Sequence, residues 1–92
     1  MDINKTTLIG RLVSKPTKKD EQVLFRIATN YQWQYKNKEL NKKEVHDITI
    51  IDKKLMEIVM MYVEKGSRLY LEGQIHNKNI IVDEIIMLGS NK

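Results

Sequence analysis

Only one stretch of this sequence carries helical spacing, and nearly everything around it alternates. Leu55, Ile58, Val59 and Tyr62 stand at i, i+3, i+4 and i+7, which lays one apolar stripe along a helix. Asp52 is placed to cap the N-terminus, and Gly66 to take the left-handed conformation that ends the helix. Upstream, Thr6 to Val13 is rich in β-branched residues and holds Gly10 in mid-run, the mark of a bulge or sharp bend in a strand. Gln22 to Thr29 sets Val23, Phe25 and Ile27 on one side and Arg26 on the other. The alternation runs on through Tyr31, Trp33 and Tyr35 to a hairpin tip at Lys36-Asn37-Lys38-Glu39, and a third strand is expected from about Lys42 to Ile51. After the helix, Arg68 to His76 and Ile80 to Leu88 read as two strands joined near Asn77-Lys78-Asn79, where asparagine tolerates positive φ. Ser14 to Asp20, with the single proline at Pro16, reads as one surface loop.

Three strands, one helix and two strands is a mainly β order. It is the order of the OB fold, a five-stranded Greek-key barrel with one α-helix between strands 3 and 4 that binds nucleic acid across one face. Ninety-two residues suffice for one such domain, spanning 1–92. There is no cysteine to staple a core this small, so self-association is one expected way to share its burial. Met56, Met60 and Val63 form a second stripe on the helix that suits either adaptable core filler or a contact with another subunit. No apolar run approaches the roughly 18 residues of a spanning helix, and Met1-Asp2-Ile3-Asn4-Lys5 has no signal-peptide core. No membrane partner and a cytoplasmic location are expected.

The net charge of +4 is modest, but residues 1–46 hold ten Lys/Arg against five Asp/Glu, and residues 47–92 hold six against seven. An excess confined to one half points to a polyanionic partner. Its focus is Tyr31 to Lys43. In an extended strand Tyr31, Trp33 and Tyr35 share one side, with Gln32 and Gln34 opposite. Rings stack on bases for about 1–3 kcal/mol each whatever the base, and lysines neutralise phosphates. Lys36, Lys38, Lys42 and Lys43 supply that charge, and Arg11 and Arg26, facing away from their strands' apolar sides, extend the track. The same odd numbering also fits a continuation of the core face of Val23, Phe25 and Ile27. Exposure of the rings requires that the hairpin project past the barrel.

Catalytic arrangements are poorly supported. His46 and His76 lie thirty residues apart with no HExxH-type spacing, so no metal or other cofactor is expected. Ser67, His46 and Asp47 offer the residue types of a hydrolytic triad without a nucleophile motif, and Asp83-Glu84 fits a bulge or solvated edge better than paired carboxylates.

Four segments carry a family likeness: Asn4-Lys5-Thr6-Thr7-Leu8-Ile9-Gly10-Arg11-Leu12, Phe25-Arg26-Ile27-Ala28-Thr29-Asn30, Lys65-Gly66-Ser67-Arg68-Leu69-Tyr70-Leu71-Glu72-Gly73-Gln74 and Met87-Leu88-Gly89. In this order they resemble bacterial single-stranded DNA-binding proteins over nearly the whole chain. The resemblance implies an OB-fold subunit, usually of a homotetramer, that coats single strands in replication, repair and recombination. It places Trp33 at a base-stacking tryptophan and His46 near a subunit contact. Departures from the family pattern are Val45 for a second stacking tryptophan, Asp47 for a basic residue and Ile51 for an aromatic. The hairpin around Asn77 is short, and the chain stops at Ser90-Asn91-Lys92 where an acidic, hydrophobic-tipped tail is expected. With a further tryptophan that the family carries on that hairpin, up to three stacking positions are missing, which would cost about 3–9 kcal/mol per subunit if nothing compensated.

The expectation is a short, divergent, non-enzymatic, nucleoid-associated single-stranded DNA-binding protein, a homotetramer or a homodimer, with replication or restart proteins as further partners. Two alternatives stand beside it. One is a primosomal replication protein B-like restart factor, and the other is an OB-fold protein-interaction subunit that has lost DNA binding.

Overall fold

The computed structural model describes residues 2–89, with the side chains of residues 33–35 outside that description. The chain runs β1 (Thr6–Leu12), β2 (Thr17–Lys19), β3 (Gln22–Tyr35), β4 (Lys38–Ile50), α1 (Lys53–Tyr62), β5 (Arg68–His76) and β6 (Asn79–Gly89). The strands form one sheet in the order β1-β5-β6-β4-β3-β2, and β1 also pairs with β3, so five of them close into a barrel. β4 and β6 are parallel neighbours, Asp47 opposite Asn79 and Thr49 opposite Ile81. All the other pairs are antiparallel. This is the OB barrel that the element order implies.

The sixth strand is a correction. β2 lies inside the stretch read as a loop: its three exposed residues pair with Gln22 to Leu24 across a turn in which Asp20 has φ 55°. A run of Thr-Lys-Lys has no apolar alternation by which to be recognised.

Closure rests on a short seam. β1 pairs with β5 from Thr6 to Arg11, but with β3 only at Arg11 and Leu12. Gly10 sits at this change of partner, buried, where a Cβ would run into the Ala28 carbonyl on β3. The missing side chain lets the two backbones approach and the strand turn. Leu12 is then tied on both sides, its N–H donating to the Ser67 carbonyl (3.0 Å) and its carbonyl accepting from the Gly66 N–H (2.9 Å). A second close approach occurs at Gly73, whose Cβ would meet the Ile81 carbonyl. Here the register slips: Glu72 faces Glu84 and Gly73 faces Val82, leaving Asp83 as the extra residue of a bulge.

Alternation fills the interior. Leu12, Val23, Phe25, Ile27, Ile48, Ile50, Leu69, Leu71, Ile80 and Val82 point inward, and α1 caps them with Val59 and Val63. Asp52 caps the helix as expected, its carboxylate accepting from the Leu55 N–H at 3.0 Å. The buried stripe is rotated from the expected one. It is centred on Val59, with Leu55 and Met56 packed beside it and Val63 beyond, while Tyr62 is 63% exposed. The helix ends at Tyr62, and its C-cap Val63 is extended (φ −98°) and buried four residues after Val59. Gly66 does have positive φ (95°), but within the turn from Glu64 to Ser67 rather than at the helix end. Of the second stripe, Met56 and Val63 serve the core and Met60 is 45% exposed.

Outside the barrel, cross-strand register aligns Ile9, Tyr70 and Ile86 in one row. Thr7, Glu72 and Glu84 form the next row on one side, and Arg11 and Arg68 lie on the other. The Tyr70 hydroxyl donates to the Glu72 carboxylate, which Lys5 Nζ approaches at 3.3 Å. The hydrogen bond from Tyr70, aided by Lys5, holds the Glu72 carboxyl below the usual carboxylate range, and the same bond raises the Tyr70 hydroxyl.

Because the obstacle at Gly10 is backbone, Gly10→Ala has no side chain to push aside. We expect a loss of about 2–4 kcal/mol in urea unfolding. A midpoint equal to that of the parent protein would show that the seam can open without cost.

Candidate nucleic-acid interface

The strand pair β3–β4 is longer than the barrel needs. Val23 to Thr29 and Glu44 to Ile50 lie in its wall, whereas Asn30 to Tyr35 and Lys38 to Lys43 pair only with each other. They form a two-stranded arm closed by Lys36 and Asn37, both at positive φ (49° and 63°), the geometry of a two-residue type I′ turn. Every described side chain from Asn30 to Val45 is exposed. Tyr31 decides the question of parity. It follows Val23, Phe25 and Ile27 on the same side of β3, yet it is 44% exposed where Ile27 is fully buried. The face that is interior in the barrel becomes surface in the arm.

The register assigns each candidate to a face. On the Tyr31 face, Tyr31 lies opposite Lys42, position 33 opposite Leu40 and position 35 opposite Lys38. The side chains of Trp33 and Tyr35, the two other expected stacking rings, lie outside the described residues. On the reverse face, Asn30 lies opposite Lys43, Gln32 opposite Asn41 and position 34 opposite Glu39. Lys36 occupies the turn. The lysines thus clothe both faces and the tip rather than one side. Lys42 Nζ is 3.5 Å from Glu44, so part of its charge is engaged within the arm.

The reverse face continues onto the barrel wall. There Ala28 is flanked by Val45 on β4 and by Arg11 on β1, and the next row is Arg26 with Asp47. Arg26 Nε donates to Asp47 Oδ1 at 3.0 Å, and Arg11 Nη1 donates to the Gly66 carbonyl at 3.3 Å. Beneath the pair is a depression of about 350 Å³ bordered by Ser14, Lys15, Thr17 and Asn79. His46 lies at the mouth of the barrel with Nε2 3.0 Å from Thr29 Oγ1.

Ser67, His46 and Asp47 do not converge. The Ser67 hydroxyl accepts from the Glu64 N–H in the turn before β5, while the other two side chains are held by Thr29 and Arg26. Among the described residues, no three His, Cys, Asp or Glu side chains gather as metal ligands would, and no helix is long and apolar enough to cross a membrane. Asn30, Asn41 and Arg68 join these surfaces without having been expected there. Asn30 and Asn41 flank Lys43 and Gln32 only once the hairpin register is known, and Arg68 meets Arg11 only across the barrel.

The closed OB barrel has counterparts among solved structures. Residues 3–84 match the Single-strand binding protein family. The chain belongs to that family. It is similar to the single-stranded DNA-binding protein of Neisseria meningitidis serogroup A, with 34% identity over 97% of this chain and 62% of that protein. It is also similar to the mitochondrial single-stranded DNA-binding protein of Pongo abelii, with 32% identity over 95% of this chain and 76% of that one. Among solved structures, a Plasmodium falciparum SSB in complex with ssDNA superposes with a TM-score of 0.86 and 26% identity, covering 96% of each chain. The chain spans between 48% and 62% of the length of the bacterial family members it matches. Family membership thus agrees with the resemblance read from the four sequence segments.

An arm whose described side chains are all exposed opens more readily than the wall it grows from. Amide hydrogen exchange should therefore be faster across Asn30 to Lys43 than at Ile48 or Leu71. Equal protection would mean that something other than its own ladder holds the arm.

Proposed function

We propose that this protein binds single-stranded DNA without sequence preference, as a non-enzymatic factor of replication, repair or recombination, with residues 1–92 acting as one binding domain. The observation that carries this reading is the exposed arm, in which a face of core parity presents Tyr31 to solvent beside Lys42. Family membership and the likeness to a DNA-bound SSB support it. In this reading Trp33 supplies the main stacking surface, with Tyr35 and Tyr31 assisting. Lys36, Lys38, Lys42 and Lys43 neutralise phosphates around the arm, and Arg26 and Arg11 extend the track along the barrel wall. A location with the DNA in a bacterial cytoplasm goes with this reading.

The same reading includes a homo-oligomer. The row Ile9, Tyr70 and Ile86 leaves its two isoleucines about half exposed (48% and 49%) and is bordered by arginines on one side and glutamates on the other. A two-fold axis through the row would lay apolar on apolar and Arg11 and Arg68 of one copy against Glu72 and Glu84 of the next, the self-complementarity a symmetric interface needs. His46 would stand near a second contact, and a homotetramer is the state expected. A dimeric mass would instead favour the restart-factor reading, and replication or restart proteins would be partners in either case.

Trp33 is the single tryptophan, so its fluorescence reports on the arm directly. Adding oligo-dT should quench it, with affinity falling steeply with salt. Glutamine at all four arm lysines should flatten the slope of log K against log salt by about 2–3, given roughly 0.7 per phosphate on single strands. Unchanged fluorescence at low salt, together with no shift in a gel assay, would refute DNA binding. Separately, Ile86→Lys should lower the mass measured by analytical ultracentrifugation. A mass unchanged by that charge would place the interface elsewhere.

A further inference from the structure

Along the face of β4 that begins with Glu39 at the tip of the arm, Asn41, Lys43, Val45 and Asp47 follow as exposed residues and Thr49 is buried. Asp47 is the carboxylate that this face places on the barrel wall. It sits between Lys43 on the arm and Lys15 beside the depression, on the path that a strand would follow from the arm onto the barrel wall. It also holds one of the wall's cations: Arg26 lies directly opposite in register, and its Nε donates to Asp47 Oδ1 at 3.0 Å. Both side chains are more than half exposed, so neither is needed by the core.

We propose that Asp47 is an internal competitor for Arg26 that weakens DNA binding on the barrel wall and so concentrates it on the arm. The proposal rests on the DNA-binding reading above and adds a control element to it. An arriving phosphate would meet the carboxylate and an arginine already engaged. To contact the strand, Arg26 must leave Asp47. An exposed ion pair holds its partners only weakly, so the exchange is feasible, but the bare carboxylate then faces the phosphate. Binding on the wall is thereby made weaker and less salt-sensitive than the count of basic residues suggests.

The test is a double-mutant cycle on the full chain with oligo-dT, read by Trp33 quenching and by gel shift at several salt concentrations. Asp47→Asn keeps the size and the acceptor oxygen and removes the charge. It should tighten binding about three- to tenfold near 0.1 M salt and steepen the salt slope by about 0.7, one more phosphate contact. Arg26→Gln should weaken the parent protein less than it weakens Asp47→Asn, and should abolish the gain in the Asp47→Asn background. If the parent binds but Asp47→Asn changes neither affinity nor slope, the competitor role is wrong and the binding reading survives. If Arg26→Gln weakens the parent as much as it weakens Asp47→Asn, Arg26 is already free for DNA and the role is again wrong. If neither the parent nor Asp47→Asn binds in either assay, the DNA-binding reading itself fails and takes this proposal with it.

Discussion

The whole architecture depends on how closely two backbones can approach at Gly10. A barrel has to change the partner of its first strand, and here the change takes two residue pairs, Arg11 with Ala28 and Leu12 with Ile27. So short a seam holds because the hydrogen bonds of Leu12 to Ser67 and Gly66 draw in the turn that follows the helix. The helix, the turn and the seam therefore form one joint. Once that joint is made, seven residues of β3 and seven of β4 complete the wall, and whatever those strands have beyond it must leave the barrel as an arm. The candidate binding element is an overshoot of the core strands.

This explains why an alternation that buries Ile27 exposes Tyr31. Burial is a property of what covers a face, and past the wall the Tyr31 face is 44% exposed at that ring. The dyad rule fixes which residues share a side and says nothing about where the opposing layer ends. Sequence periodicity therefore led to the five barrel strands, the helix and the core parity of β3, and it left the aromatic ladder open between core and surface. The exposure of Tyr31, beyond the closing pairs of β1 with β3, settles it for that ring.

Other features were legible to different degrees for equally physical reasons. Asp52 could be read as a cap because capping is a local exchange between a carboxylate and an N–H three residues on. The choice of Val63 over Tyr62 could not, because they lie four and three residues after Val59 and helical spacing admits either. β2 was invisible since its residues are held by an edge ladder and bury nothing. At the interface, residue types were legible but their distribution was not: the lysines read as one track divide between two faces, and Arg26 read as a cation is half of an ion pair.

That division follows from the pairing at the tip, where Lys36 and Asn37 alone make the turn and every residue beyond is matched across the ribbon. Lys42 and Lys43 adjoin in sequence and point in opposite directions. One residue inserted into a single strand of the arm would exchange all its faces beyond that point, bringing the glutamines to the side of the rings. The arm can therefore change length over evolutionary time only in matched steps on both strands, or by admitting a bulge. Its length is quantised by the same pleat that sorts its chemistry.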